Sequence, residues 1–229
     1  MSKAKAAEKP DMQGQILPFN PLDKKNLGSS VAEALVSSTA HPLGEIPPFN
    51  GVGIYAIYYC GPFEAYKLIS DQNKDKPNPR VPIYVGKAVP AGARKGNALA
   101  DPLQSRSLFN RMGEHAESIR AAGNLDIADF VCRYLIVDEI WIPLGESLMI
   151  AKFAPLWNSL VEGFGNHDPG SGRYQGLRPR WDAVHPGRPW ALKCKERGES
   201  DADILRDAKT YLSNVVFPTS PHFIGGKES

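Results

Sequence analysis

The run Val52-Gly53-Ile54-Tyr55-Ala56-Ile57-Tyr58-Tyr59 constrains the fold more than any other part of this chain. It is rich in β-branched and aromatic residues and reads as a strand. Its side chains are apolar at successive positions rather than alternate ones, so the strand is buried on both faces. At 229 residues the chain is long enough to build that core without a disulfide or a structural metal. Cys60, Cys132 and Cys194 are odd in number and lie far apart, which reads as free thiols in a reducing compartment.

Other segments fall into place around this strand. Met1 to about Asn26 is a polar tail, and Leu27 to Ser38 reads as a short helix around Val31, Leu35 and Val36. Pro42, Pro47 and Pro48 make the next stretch a turn-rich connector. Val81 to Val85 and Phe130 to Val137 read as further strands, Asp71 to Pro82 and Ala88 to Pro102 as loops. Helices are expected over Leu103 to Ala122, Leu144 to Phe153 and Asp201 to Val215. Val161 to Pro189 is rich in Gly, Pro and Arg and reads as a long irregular arm. The pattern is that of a small α+β domain. No stretch is apolar enough for a membrane span, and Met1 to Pro10 lacks the apolar core of a secretory signal, so a cytoplasmic protein is expected.

Charge is unevenly spread. Asn73 to Arg120 carries nine basic and four acidic residues, and Gly172 to Arg197 seven and two. The remainder carries eleven basic and nineteen acidic residues. Two basic segments on an otherwise acidic chain point to a polyanion-facing surface, with chance clustering of solvated side chains as the plain alternative.

Three polar positions interrupt apolar patterns. Glu146 shares its helix face with Met149, Ile150 and Phe153, which lie about −60°, +40° and −20° from it. A carboxylate buried there needs a strong partner, as an ion pair, a metal ligand or an acid; the plain alternative is a residue of the exposed first turn. Arg111 and His115 are four apart on one helix face, His115 inside the apolar stripe and Arg111 at its edge. Tyr55, Tyr58, Tyr59 and Tyr84 lie in strands, where packing accounts for Tyr58 and Tyr59. Gly51-Val52-Gly53-Ile54-Tyr55-Ala56 imitates a dinucleotide fingerprint, but its glycines precede a strand instead of opening a helix.

Taken in order, Gly53-Ile54-Tyr55, Tyr84-Val85-Gly86, Arg111 with His115, Glu146, and Pro155 with Asn158 resemble the motifs of the GIY-YIG nuclease superfamily. Within it, Tyr84 to Gly92, Pro155-Leu156-Trp157-Asn158, Gly163-Phe164-Gly165-Asn166-His167 and His185-Pro186-Gly187-Arg188 look like the small type II restriction endonucleases that cut CCGCGG. The resemblance implies a central antiparallel sheet flanked by helices, with an N-terminal helix and an irregular C-terminal arm. It divides the chain into a tail and helix (1–50), a nuclease core (51–160) and a basic DNA-binding arm with a closing helix (161–229).

The implied chemistry is metal-assisted hydrolysis of a DNA phosphodiester. Glu146 is then the ligand of one Mg²⁺ (or Mn²⁺) per active site. Arg111 offers phosphate a permanently charged donor fork. Tyr55 is the candidate general base; an ordinary tyrosine titrates near 10, so it needs a neighbour such as Lys87, Arg111 or His115. His115 is the alternative base, or the group that takes the proton from Tyr55. Tyr84 orients water or phosphate, and Asn158 braces the site or bonds a phosphate. Arg94, Lys95, Arg106, Asn166, His167, Arg173, Arg178, Arg180 and Arg188 are the candidate DNA contacts, some reading guanines and others only phosphates.

A palindromic target implies a homodimer on double-stranded DNA, and a protective DNA methyltransferase in the same system without physical contact. The competing readings are a homing or repair nuclease, a non-catalytic DNA-binding protein on the same scaffold, and, on the glycines alone, a nucleotide-binding enzyme.

Overall fold

The structure, a computed structural model, describes residues 22–76, 78–89 and 104–223. The expected DNA contacts Arg94 and Lys95 lie outside the described residues. In chain order the elements are α1 (Lys24–Ser37), β1 (His41–Pro42), β2 (Gly53–Tyr59), α2 (Lys67–Asn73), β3 (Pro82–Ala88), α3 (Ser107–Ala121), β4 (Phe130–Ile136), α4 (Ile142–Phe153), α5 (Leu156–Ser159), α6 (Arg180–Val184) and α7 (Asp201–Asn214).

The strands form one antiparallel sheet in the order β1-β4-β2-β3. β2 is interior, and all seven of its residues are buried. The period of two along a strand divides its side chains between two cores. Tyr55, Ile57 and Tyr59 face a core shared with Leu108, Met112, Ala116 and Ile119 of α3. Ile54, Ala56 and Tyr58 face a second core, built with Ala32, Leu35 and Val36 of α1 and Ile142, Met149 and Phe153 of α4. The sheet is therefore the middle layer of an α+β fold.

The segment after α5 belongs to the first core. Trp181 and Val184 of α6 and Ile204, Ala208 and Leu212 of α7 join the cluster that contains Tyr55 and Trp157. Trp157, Phe164 and Trp181 pack ring against ring at 4.6–5.7 Å. Two local expectations change. Asp71–Asn73 are the last turn of α2, where Asn73 bonds Tyr59 and Val81 carbonyls and the Arg80 and Val81 amides. The helix expected from Leu103 begins at Ser107. There Gly51 bonds both Ser105 and Leu108, and this holds the preceding chain out of the helix. The short elements β1, α5 and α6 have too few residues to show a period.

The three thiols are free. Among the described residues no helix is long and apolar enough to cross a membrane.

Candidate active site

The motif tyrosines meet because β2 and β3 are antiparallel neighbours with Tyr55 opposite Gly86. A Cβ on Gly86 would stand 2.4 Å from Tyr55 Oη and 3.0 Å from a Tyr84 ring carbon, so the hydroxyl occupies the space a side chain would need. The Tyr55 and Tyr84 rings lie 6.2 Å apart. His115 reaches them from α3, and its Nε2 shares a 2.6 Å hydrogen bond with Tyr55 Oη. The sequence-predicted stripe on α3 is correct in placing His115 inward: it is buried beside Leu108, Met112 and Ile119.

Burial sets the protonation of this pair. It pushes the Tyr55 phenol well above 10, Tyr84 adds to the rise, and the Arg111 charge opposes it. Burial likewise holds His115 well below its ordinary 6.5, reinforced by Arg111, Arg188 and His167. At neutral pH the pair is a phenol and a neutral imidazole. Tyr84 is also raised by burial; Arg111 opposes this, and the nearby charge of Glu146 adds to it.

Arg111 lies on the same face of α3, one turn before His115. Its Nη1 donates to Glu114 Oε2 (2.8 Å) and to His167 Nε2 (2.5 Å), and its Nη2 to the Gly165 carbonyl. Glu146 approaches from α4, on the other side of the sheet. Its Oε2 pairs with Lys87 Nζ at 2.6 Å, with the Glu146 side chain 17% exposed. The two halves of the site thus meet around the edge strand β3, which carries Tyr84 and Lys87. Asn158 fixes that strand: Val85 N–H donates to Asn158 Oδ1, and Asn158 Nδ2 donates to the Val85 carbonyl, both at 2.8 Å. Pro155 caps the short α5 that carries it.

Among the described residues no group of three or more His, Cys, Asp or Glu side chains could hold a metal ion; Glu146, the one motif carboxylate, is ion-paired with Lys87.

The expected DNA contacts divide into two groups. Arg106 is exposed, its guanidinium over the Phe109 ring. Asn166, His167 and Arg173 are exposed and line a cleft of about 410 Å³ with Asp168, Leu177 and Trp190. Arg178 donates from Nε to the Ala191 carbonyl. Arg180 is ion-paired with Glu199. Arg188 departs from the expectation altogether. It is 4% exposed, and all five of its N–H donors are used within the protein.

Sequence reasoning gave no role to Phe164, Gly165, Glu114 or Asp182. Phe164 stacks on His115, centroids 4.4 Å apart and planes 19° apart, and stands edge-on to Tyr84 at 5.0 Å. A Cβ on Gly165 would meet Tyr84 Oη at 2.5 Å. The available signal was the lone aromatic between two glycines at Gly163-Phe164-Gly165.

No curated protein matches the chain significantly. The family model described as the Eco29kI GIY-YIG domain matches residues 47–212, more than two thirds of the chain and every described motif residue. With Tyr55, Tyr84, Arg111, His115 and Glu146 gathered around one strand edge, the chain belongs to the Eco29kI GIY-YIG restriction endonuclease family and is a nuclease.

Proposed function

We propose that the protein is a type II restriction endonuclease that hydrolyses both strands of palindromic CCGCGG, as a homodimer with one Mg²⁺ (or Mn²⁺) per active site. The observation that carries this reading is the 2.6 Å bond between a buried phenol and a buried neutral imidazole, Tyr55 and His115, beside Arg111. A free tyrosine is a poor base at neutral pH. Tyr55 hydrogen-bonded to a neutral His115 can take a proton from water while its own proton passes to His115 Nε2. The resulting hydroxide attacks phosphorus, and the 3′ oxygen leaves.

Arg111 is positioned to receive the non-bridging phosphate oxygens, which exchange with Glu114 and His167 for its Nη1. Glu146 would hold the cation, with water and phosphate oxygens completing its coordination. When bound, the cation polarises the phosphate and stabilises the leaving oxygen. Lys87 neutralises Glu146 and brings a second positive charge to the phosphate side. Asn158 serves the site through the backbone of β3. Exposed Arg106, Asn166, His167 and Arg173 are the described side chains best placed to contact the duplex. A palindromic site calls for a two-fold dimer, and a host carrying the active enzyme needs a protective DNA methyltransferase.

Plasmid cleavage tests this reading, comparing the wild type with Glu146→Gln on DNA with and without one CCGCGG. The expected result is Mg²⁺-dependent cutting only at the site, reduced by roughly 10²–10³-fold or more in the variant. Discrete cutting elsewhere would retain the nuclease and discard CCGCGG. Tight DNA binding without cutting in any divalent metal would leave the non-catalytic reading.

A further inference from the structure

Residues 163–167 form a loop whose backbone is gripped by two arginines. Arg188 donates from Nη2 to the Gly163 carbonyl (2.9 Å) and from Nη1 to the carbonyls of Phe164 (3.0 Å) and Asn166 (3.1 Å). Arg111 takes the remaining carbonyl between them, that of Gly165. Arg188 is itself clamped by Asp182, Nε to Oδ1 at 2.6 Å and Nη2 to Oδ2 at 2.5 Å, with side chains 5% and 1% exposed. Its guanidinium lies 4.7 Å from both the Trp181 and the Trp190 ring centroids. The bend that starts the loop needs a glycine. Gly163 has φ +103°, and a Cβ there would stand 2.2 Å from Pro179.

Breaking a buried, fully bonded ion pair is costly, whereas apolar residues of similar volume often replace one without loss. Stability alone is therefore a weak reason for placing Arg188 here. Its bonds end instead on the loop that touches the reacting groups. Phe164 lies flat on His115 and edge-on to Tyr84, and Gly165 abuts Tyr84 Oη and Arg111.

We propose that Arg188 and Asp182 are positioning residues of the active site: they hold the 163–167 loop so that Phe164 covers His115 and the Gly165 carbonyl aims Arg111. Their catalytic consequence rests on the nuclease reading above; the positioning itself does not. The groups facing His115 are Tyr55 and Tyr84 from the sheet, Arg111 from its own helix, and Arg188 and His167 from the arm. Phe164 keeps water from the imidazole, so displacing the loop should let His115 bind a proton at higher pH.

The test compares the full-length wild type, Phe164→Leu and Asp182→Asn in three measurements: single-turnover cleavage at saturating DNA, DNA affinity, and NMR titration of the His115 ring. Both variants should lose roughly tenfold to a hundredfold in cleavage rate with little change in affinity, as expected for misplaced catalytic groups. Both should also raise the His115 titration midpoint. Lower thermal stability with an unchanged His115 midpoint and an unchanged rate per folded molecule would overturn the proposal. If Asp182→Asn does not fold, Arg188→Lys, which keeps the charge but loses the donor fork that holds the loop carbonyls, decides by the same criteria. A wild type that never cuts DNA would sink the nuclease reading, while the NMR measurement would still decide the positioning.

Discussion

At the scale of single residues, the site is governed by what has been left out as much as by what is present. Gly86 leaves room for the Tyr55 hydroxyl, and Gly165 leaves room for that of Tyr84. Gly86→Ala should therefore displace Tyr55 from His115 and lower cleavage by roughly a hundredfold, with DNA binding retained in a gel-shift measurement. Tyr55→Phe removes only the hydroxyl and should abolish cleavage while leaving DNA affinity intact; retained turnover would move the base role to His115. These residues were legible because each motif carries an unusual type at a fixed place: glycines beside strand tyrosines, a histidine in an apolar stripe, a carboxylate on an apolar helix face. Phe164 was not legible in this way, since an aromatic residue in an irregular segment has no period to betray its direction. Arg188 was misread for a related reason. Sequence shows its charge but not Asp182, which comes close only through the turn of α6 and the residues after it.

At the scale of elements, the long strands and helices followed their hydrophobic patterns, and β2 is buried throughout as its composition requires. What composition could not show was how neighbouring elements satisfy each other's polar ends. Arg133 of β4 is 3% exposed. Its Nη1 donates to the Val36 and Ser38 carbonyls at the end of α1, and its Nη2 to Asn78 Oδ1 at 3.0 Å. A cation at a helix C-terminus meets both the helix dipole and the carbonyls without partners of their own. Arg133→Ala should cost about 2–3 kcal/mol, the scale of a charged hydrogen bond with its orphaned acceptors. Urea unfolding would measure this, and α1 should be the first element to lose amide-exchange protection.

Considering the molecule as a whole, the basic arm is less available to DNA than its composition implies. Arg180 and Arg197 share Glu199, and Arg188 is consumed by Asp182, so internal carboxylates neutralise much of the arm. The arm is also tied down by His185, whose Nε2 meets Tyr66 Oη at 2.6 Å and whose Nδ1 meets Asn124 Oδ1 at 2.9 Å. Burial holds His185 at about 3 and His115 well below 6.5, whereas both bind protons near 6.5 when unfolded. Below pH 6.5 the unfolded chain therefore carries more protons, and stability falls with pH by about 1.4 kcal/mol per unit for each histidine. For His185 the loss continues to about pH 3. Asp182, raised by burial, acts in the opposite sense above its ordinary 3.8. The thermal midpoint should accordingly decline steadily from pH 6.5 to pH 4.5, and a flat profile would contradict the buried neutral pairs. Asn158 carries a consequence of another kind. Its amide occupies, at Val85, the donor and acceptor that a further strand would use along the outer edge of the sheet. One side chain therefore stands in for a neighbouring strand, and the edge that carries Tyr84 and Lys87 is closed at that point to the sheet of another copy, the contact by which exposed strands begin to aggregate.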